Sequence, residues 1–200
     1  TPYSWEQFSV YFIESILNIH NGKKFSAEKP VLDYLMQVED WGEMELRIYA
    51  LFGFIFDIET TYHLMRTALK RSKQYQVVPA SAKLLFVILS NNFSTFLNVN
   101  RLDYAEETIQ LFEENYAKNT DFLSPHIDFM FNKGLLHFKK NQPDLAKEYC
   151  DNAIKICQMF HQTDFEKMYT GRYETWKTNY KDPKFHELVI QAGFFETETN

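Results

Sequence analysis

Apolar residues recur along this chain at three- and four-residue spacing, and hardly anywhere at the strict alternation that a sheet requires. The pattern predicts a string of helices. The first covers about 4–19 and stops at Asn21-Gly22; the second covers about 27–38, with Ser26 as its cap. A third runs over about 41–56, and Asp57 caps a fourth, IETTYHLMRTALKRSK. Pro79 opens a fifth over 79–99, and a turn from Asn100 leads to a sixth over about 103–118. The seventh covers about 124–140, with Pro125 at its first position. The eighth starts at Pro143 and ends near Phe160, and the ninth covers about 164–180. A last short helix starts near Pro183 and ends before Gly193.

The helices pair through tight turns, and the pairs repeat. LNVNRLDYA aligns with FKKNQPDLA at an offset of 41, so that Leu97 meets Phe138, Asn100 meets Asn141, Asp103 meets Asp144 and Ala105 meets Ala146. Each shared residue has a physical task. The Asn takes the left-handed conformation that ends one helix. The Asp caps the next, and the Ala lets the two helices approach. Gly134, Ala146 and Ala153 keep the small-residue spacing of tetratricopeptide repeats. The expected fold is therefore all-α, a right-handed superhelical solenoid of tetratricopeptide-like helix-turn-helix repeats. Residues 1–40 supply N-terminal helices, 41–180 the hairpin repeats, and 181–200 a capping helix and tail.

Within the fifth helix, the stretch SNNFSTFLN carries asparagines that helix interiors and cores both resist. The offset that aligns the turns also carries Asn91 onto Asn132. First helices of successive hairpins line the concave face of a solenoid, so these carboxamides are expected to stand in one row. A carboxamide offers a donor and an acceptor, which suits the backbone of an extended peptide. Helical spacing adds Val87, Ser94 and Asn98 beside Asn91, and Asp128, Leu135 and Phe138 beside Asn132. One period further on lie Tyr169, Arg172, Tyr173 and Trp176; one period back lies Ala50, with Arg47 near it. The expected groove suits an apolar peptide, whose terminal carboxylate or acidic side chain Arg172 or Arg47 could pair.

Composition narrows the choice. Hydrophobic residues make up 45% and charged residues 24% of 200, which describes a globular chain. A formal net charge of -6 repels phosphate, so this chain alone is not expected to bind nucleic acid. Cys150 and Cys157 lie seven apart in one predicted helix, about 10 Å at 1.5 Å per residue, too far for a disulfide. No signal peptide is visible, and no apolar run is read as reaching the roughly 18 residues of a membrane span. The six His show no ligand spacing, and no nucleophile motif or phosphate loop is present, so neither an enzyme nor a cofactor is expected. The chain opens at Thr1 rather than Met, and an N-terminal part is expected to precede it.

The segment VLDYLMQVEDWGEMELRIYALFGFIFDIETTYHLMRTALKR, with Glu39, Trp41, Gly42, Glu45 and Leu46, resembles the C-terminal domain of the Rgg/GadR/MutR family of regulators. ILSNNFSTFLNVNRLDYAEETI and FNKGLLHFKKNQPDLAKEYCDNAIKI resemble that family's later repeats, and the likeness covers about 10–177. The resemblance implies a cytoplasmic regulator of Gram-positive bacteria, a homodimer that reaches promoter DNA through an N-terminal helix-turn-helix domain. It also implies a short hydrophobic signalling peptide held by inner-helix asparagines, a role that falls on Asn91 and Asn132. No membrane partner is implied. The segment KDPKFHELVIQAGFFETETN matches no family pattern; three roles stand open for it, a cap for the solenoid end, a cover for the groove or part of the dimer interface. The alternative reading is a repeat scaffold that binds a folded protein partner without a small peptide.

Overall fold

The computed structural model describes residues 4–21, 24–116 and 123–187. Among them all regular structure is helical: α1 (Trp5–Asn21), α2 (Glu28–Gln37), α3 (Glu43–Phe52), α4 (Ile58–Arg71), α5 (Pro79–Asn98), α6 (Leu102–Tyr116), α7 (Leu123–Lys139), α8 (Pro143–Met159) and α9 (Thr163–Asn179). The chain divides into two compact units. One holds residues up to Ile88, and the other runs from Leu89 to Gln191.

The first unit is organised around Trp41. Its indole is fully buried and donates from Nε1 to the Leu35 carbonyl at 3.1 Å. It meets Tyr49 edge-on at 6.0 Å, and Tyr49 donates its hydroxyl proton to the Thr61 carbonyl. The guanidinium of Arg71 reaches the Leu35, Met36 and Val38 carbonyls at 2.7–3.2 Å, closing the C-terminal end of α2. These are carbonyls that a helix end leaves without intrahelical partners. Gly42 begins α3, and the Glu45 carboxylate accepts its backbone N–H at 2.9 Å. A second oxygen of Glu45 accepts from the Tyr34 hydroxyl, and the loss of water together with that carboxylate raises the pKa of Tyr34. The DWGEME stretch is thus an anchor followed by a helix start. Phe8 and Phe12 of α1 close on Phe52 in edge-to-face pairs at 6.2 and 5.8 Å.

The second unit is built of hairpins whose turns share one geometry. Asn100, Asn141 and His161 stand at φ of 59°, 56° and 54°, in the left-handed region. After each, the next N–H reaches back five residues: Arg101 to Phe96, Gln142 to His137 and Gln162 to Cys157, at 2.8–2.9 Å. This is the Schellman closure of a helix end. The two asparagine turns match the sequence expectation, and the third uses a histidine in the same place.

Gly134 is where α7 and α8 come closest. A Cβ there would stand 2.5 Å from Cys150 Sγ and 3.0 Å from the Ala146 carbonyl oxygen, so only glycine fits. Ala146, Cys150 and Ala153 are all fully buried on the facing helix. Burial raises the Cys150 thiol to about 12, and both cysteines are free.

Several local expectations differ from the structure. Ser26 does not cap α2: Ala27 stands at that position, and the Ser26 hydroxyl turns to Glu14. Asp103 and Asp144 lie one residue inside their helices rather than at the caps, where their charge still complements the helix N-terminus. Pro125 is the third residue of α7, not the first, and Trp41 precedes α3 instead of starting it. Asp57 caps α4 as expected, accepting from the Thr60 N–H at 2.8 Å. Helix α5 is long and apolar enough to cross a membrane by length and composition, contrary to the reading of its sequence, but 67% of that window is buried inside the protein. The helix expected from Pro183 is absent over 183–187, where the chain forms a turn and then irregular backbone. Its remainder, like the stop at Gly22, lies outside the described residues.

Candidate functional site

Side chains of α5, α7 and α9 bond to one another in the second unit, through Ser90 rather than the Asn91 that the sequence offset pairs with Asn132. Ser90 of α5 donates from Oγ to Asp128 Oδ2 at 2.8 Å, and Asn132 Nδ2 donates to Ser90 Oγ at 3.1 Å. From α9, the Tyr169 hydroxyl donates to Asp128 Oδ1 at 2.7 Å. Asn132 is 1% exposed, Tyr169 2%, Ser90 3% and Asp128 5%. A buried carboxylate is tolerated only where its oxygens are satisfied, and here each takes a hydroxyl donor from a neighbouring repeat. Burial, and then the Asp128 charge, raises the pKa of Tyr169, so it stays a neutral donor.

The sequence places thirteen residues on the groove, and the structure sorts them. Asn132, Asp128, Leu135 and Phe138 of α7, with Tyr169, Tyr173 and Trp176 of α9, are buried. Asn132 is therefore enclosed instead of standing on an open surface, because the hairpins bring Ser90 within reach of its carboxamide. Asn91, Ser94 and Asn98 lie half-buried on α5 at i, i+3 and i+7, along one side of the helix. Val87 and Arg47 belong to the first unit, where Arg47 pairs with Glu43 one turn earlier.

A second cluster lies where α9 is followed by the irregular segment up to Glu187. Arg172 grips Glu187 with both arms of its fork, Nε to Oε1 and Nη2 to Oε2, each at 2.9 Å. Trp176 Nε1 donates to Oε2 of the same carboxylate at 2.7 Å. The pair is well shielded, with side chains 10% and 16% exposed. Burial by itself lowers the pKa of Arg172, and the Glu187 carboxylate more than offsets this, so the net shift is upward. The guanidinium also lies 4.9 Å over the ring of Phe131, one repeat back.

Asn98 completes this cluster by holding backbone. Its Nδ2 donates to the Glu187 carbonyl at 2.6 Å, and its Oδ1 accepts the Glu187 N–H at 3.0 Å. One carboxamide thus bonds both backbone polar groups of one residue 89 positions away. Glu187 and Ser90 are the participants that sequence reasoning missed. Ser90 directly precedes Asn91 and could have been found from the row; nothing local marks Glu187.

A cavity of about 220 Å³ shares Tyr169 with the bonded set of Ser90, Asp128 and Asn132 and is otherwise lined by Leu123, Ser124, Ile127, Gln162 and Phe165. It is smaller than the roughly 300–1,000 Å³ of drug-sized sites and would hold a side chain or two. Among the described residues no group of three or more His, Cys, Asp or Glu is placed to hold a metal.

Comparison with known proteins places this architecture. The chain resembles a protein from Listeria monocytogenes EGD-e assigned as a transcriptional regulator, with a TM-score of 0.71 and 18% identity over 86% of this chain and 60% of that one. It also resembles the SHP pheromone receptor Rgg2 of Streptococcus dysgalactiae, with a TM-score of 0.68 and 19% identity over 86% of this chain and 64% of that one. The chain thus spans less than two thirds of either structure, and at these identities the likeness is one of fold. Residues 6–171 match the family model of the C-terminal domain of the HTH-type transcriptional regulator Rgg, and with that match the chain belongs to the Rgg family of transcriptional regulators.

Proposed function

We propose that this chain is the sensing domain of its regulator and takes a short hydrophobic signalling peptide on the side of the second unit formed by α5, α7 and α9. The observation that carries the reading is the double hydrogen bond from the Asn98 carboxamide to the backbone of Glu187. It is the bonding that an extended peptide needs from a receptor, and it comes from a side chain, so it is independent of peptide sequence. Asn91 and Ser94 continue the line along α5 and are assigned to the peptide's remaining backbone. Ser90, Asp128, Asn132 and Tyr169 are the bonded set that fixes the spacing of the helices around it. The streptococcal structure that this fold resembles is a pheromone receptor, which agrees with this reading.

In this reading the protein is a cytoplasmic homodimer that reaches promoter DNA through a helix-turn-helix domain outside this chain. Val10, Ile13 and Leu17 of α1 lie on one helical face and are 53%, 60% and 58% exposed, an apolar stripe suited to a second copy. The test of the peptide reading is a thermal melt with a pool of synthetic apolar octapeptides. A ligand at a hundred times its Kd adds about 2.7 kcal/mol, a shift of several degrees for a domain of this size. The shift is expected with the unsubstituted chain and is expected to be lost in Asn98→Ala and reduced in Asn91→Ala. Asn91→Ala, Asn98→Ala and Asn132→Ala all retaining the full shift while staying folded would remove the groove assignment.

A further inference from the structure

We propose that Asn98, Arg172 and Trp176 form a receptor site for a peptide residue carrying a carboxylate, and that residues 181–187 fill it in cis, with Glu187 in place of the incoming residue. The inference rests on the peptide-sensing reading and adds to it a ligand chemistry and a built-in competitor.

The bonds at Glu187 divide into two kinds. Two go to its backbone, from Asn98, and would serve any residue. Three go to its carboxylate, two from Arg172 and one from Trp176, and would serve only an acid. A fork-on-carboxylate pair with a third donor is a recognition geometry for a planar anion. The segment that supplies Glu187 has the habit of a bound peptide. It is neither helix nor strand over 185–187, and its residues alternate: Lys184 and His186 are exposed, Phe185 and Glu187 half-buried. Phe185 and Glu187, two apart, thus turn to the same side of the irregular segment. Phe185 accordingly meets the Trp176 ring edge-on at 5.1 Å, while Glu187 enters the Arg172 fork. The matching ligand pattern is an aromatic or other apolar residue, one spacer, then an acid.

Burial alone does not explain the contact. A segment that merely covers the end of a helical stack needs apolar side chains toward it. Here the largest set of interactions is polar and converges on one glutamate, whose carboxylate has been taken largely out of water. Such a charge persists only where donors match it, so an incoming acid can replace Glu187 without loss, whereas an apolar residue would leave Arg172 shielded and unpaired.

The test uses the whole chain and a peptide of its own sequence, fluorescein-labelled PKFHELVI, residues 183–190. Glu187→Lys sets a like charge against Arg172 and releases the segment; Glu187→Gln removes the charge with little change of shape. The labelled peptide is expected to bind the Glu187→Lys chain about ten-fold or more tighter than the unsubstituted chain, as for a site freed of an internal competitor. The same peptide with Gln for its Glu is expected to lose that binding, as is a chain carrying Arg172→Met in addition. In heteronuclear NMR of the unsubstituted chain and Glu187→Gln, the Trp176 indole N–H resonance is expected to move. Equal affinity for both chains, or an indole resonance that stays in place, would overturn the proposal. The peptide reading fails separately. If pool peptides stabilise both chains alike while PKFHELVI does not distinguish them, the competitor is refuted and the sensing reading stands. If no pool peptide stabilises either chain but PKFHELVI binds the Glu187→Lys chain tightly, the acid site stands and the apolar-peptide reading falls.

Discussion

Tyr169 and Asp128 lie 41 residues apart, one repeat, and are joined by a 2.7 Å hydrogen bond in the buried interior of the second unit. The repeat period is therefore also a bonding period: equivalent helices of successive hairpins are tied by their side chains as well as by apolar contact. Tyr169→Phe removes a hydroxyl donor from a buried carboxylate and is expected to destabilise the chain by about 1–3 kcal/mol. Urea unfolding of Tyr169→Phe, Asp128→Asn and the double substitution measures the coupling. Strict additivity of the two single effects would show that the bond contributes nothing.

Gly134→Ala tests the closest helix approach. The added Cβ would meet Cys150 Sγ at 2.5 Å and backbone at 3.0 Å. Overpacking of this kind costs about 1–3 kcal/mol. Cys150→Ala removes the sulfur but not the Ala146 carbonyl, so in the double substitution it is expected to restore part of that loss in thermal unfolding. Full restoration would place the clash at the sulfur alone.

Asp57 gives the acid limb of stability a named contributor. Its bonds to the Thr60 N–H and hydroxyl hold its carboxyl below the ordinary value of 3.8. The folded state then binds protons less readily than the unfolded state. The contribution is full above the unfolded pKa and is lost as pH falls through the folded one. Asp57→Ala is expected to cost about 1 kcal/mol at neutral pH. The gap between the two chains should close in melts taken at progressively lower pH, and a gap independent of pH would assign the loss to something other than the ionised cap.

Ile13→Asp places a charge in the middle of the exposed stripe on α1. If a second copy covers that face, sedimentation of the unsubstituted chain reports a dimer and that of Ile13→Asp a monomer with unchanged helix content. A dimer that survives the substitution would move the interface elsewhere.

The sequence shows much of this and hides the rest for identifiable reasons. Asn100 and Asn141 declare the turns because few residues take positive φ at low cost, and Asn is one of them. His161 takes the same conformation without that signature, so the third turn of the series does not read as one of them. Asp128 and Tyr169, 41 apart, are hydrogen-bonded, whereas Asn132 bonds Ser90 and not the Asn91 that the same offset pairs with it. Periodicity reports which residues stack, but not whether their side chains stand open or close on one another. That depends on how near the helices approach, which Gly134 and Ala146 decide between α7 and α8. Glu187 is illegible from local pattern because its partner Asn98 is 89 positions away. Its own N–H, spent on that partner, is lost to the helix expected from Pro183.

Glu187 follows the end of α9 at Asn179 by eight residues, so the segment that holds the acid site is tethered to the very helix that bears Arg172 and Trp176. A short tether presents its end at an effective concentration on the order of millimolar. If the proposed acid site takes a free peptide, that peptide must outcompete this local supply. Its apparent affinity is then lower than its contacts alone would give, by the fraction of time the segment stands aside. The tether length and the charge at position 187 together set the signal level to which such a receptor responds, and either can be retuned without altering a residue that touches the peptide.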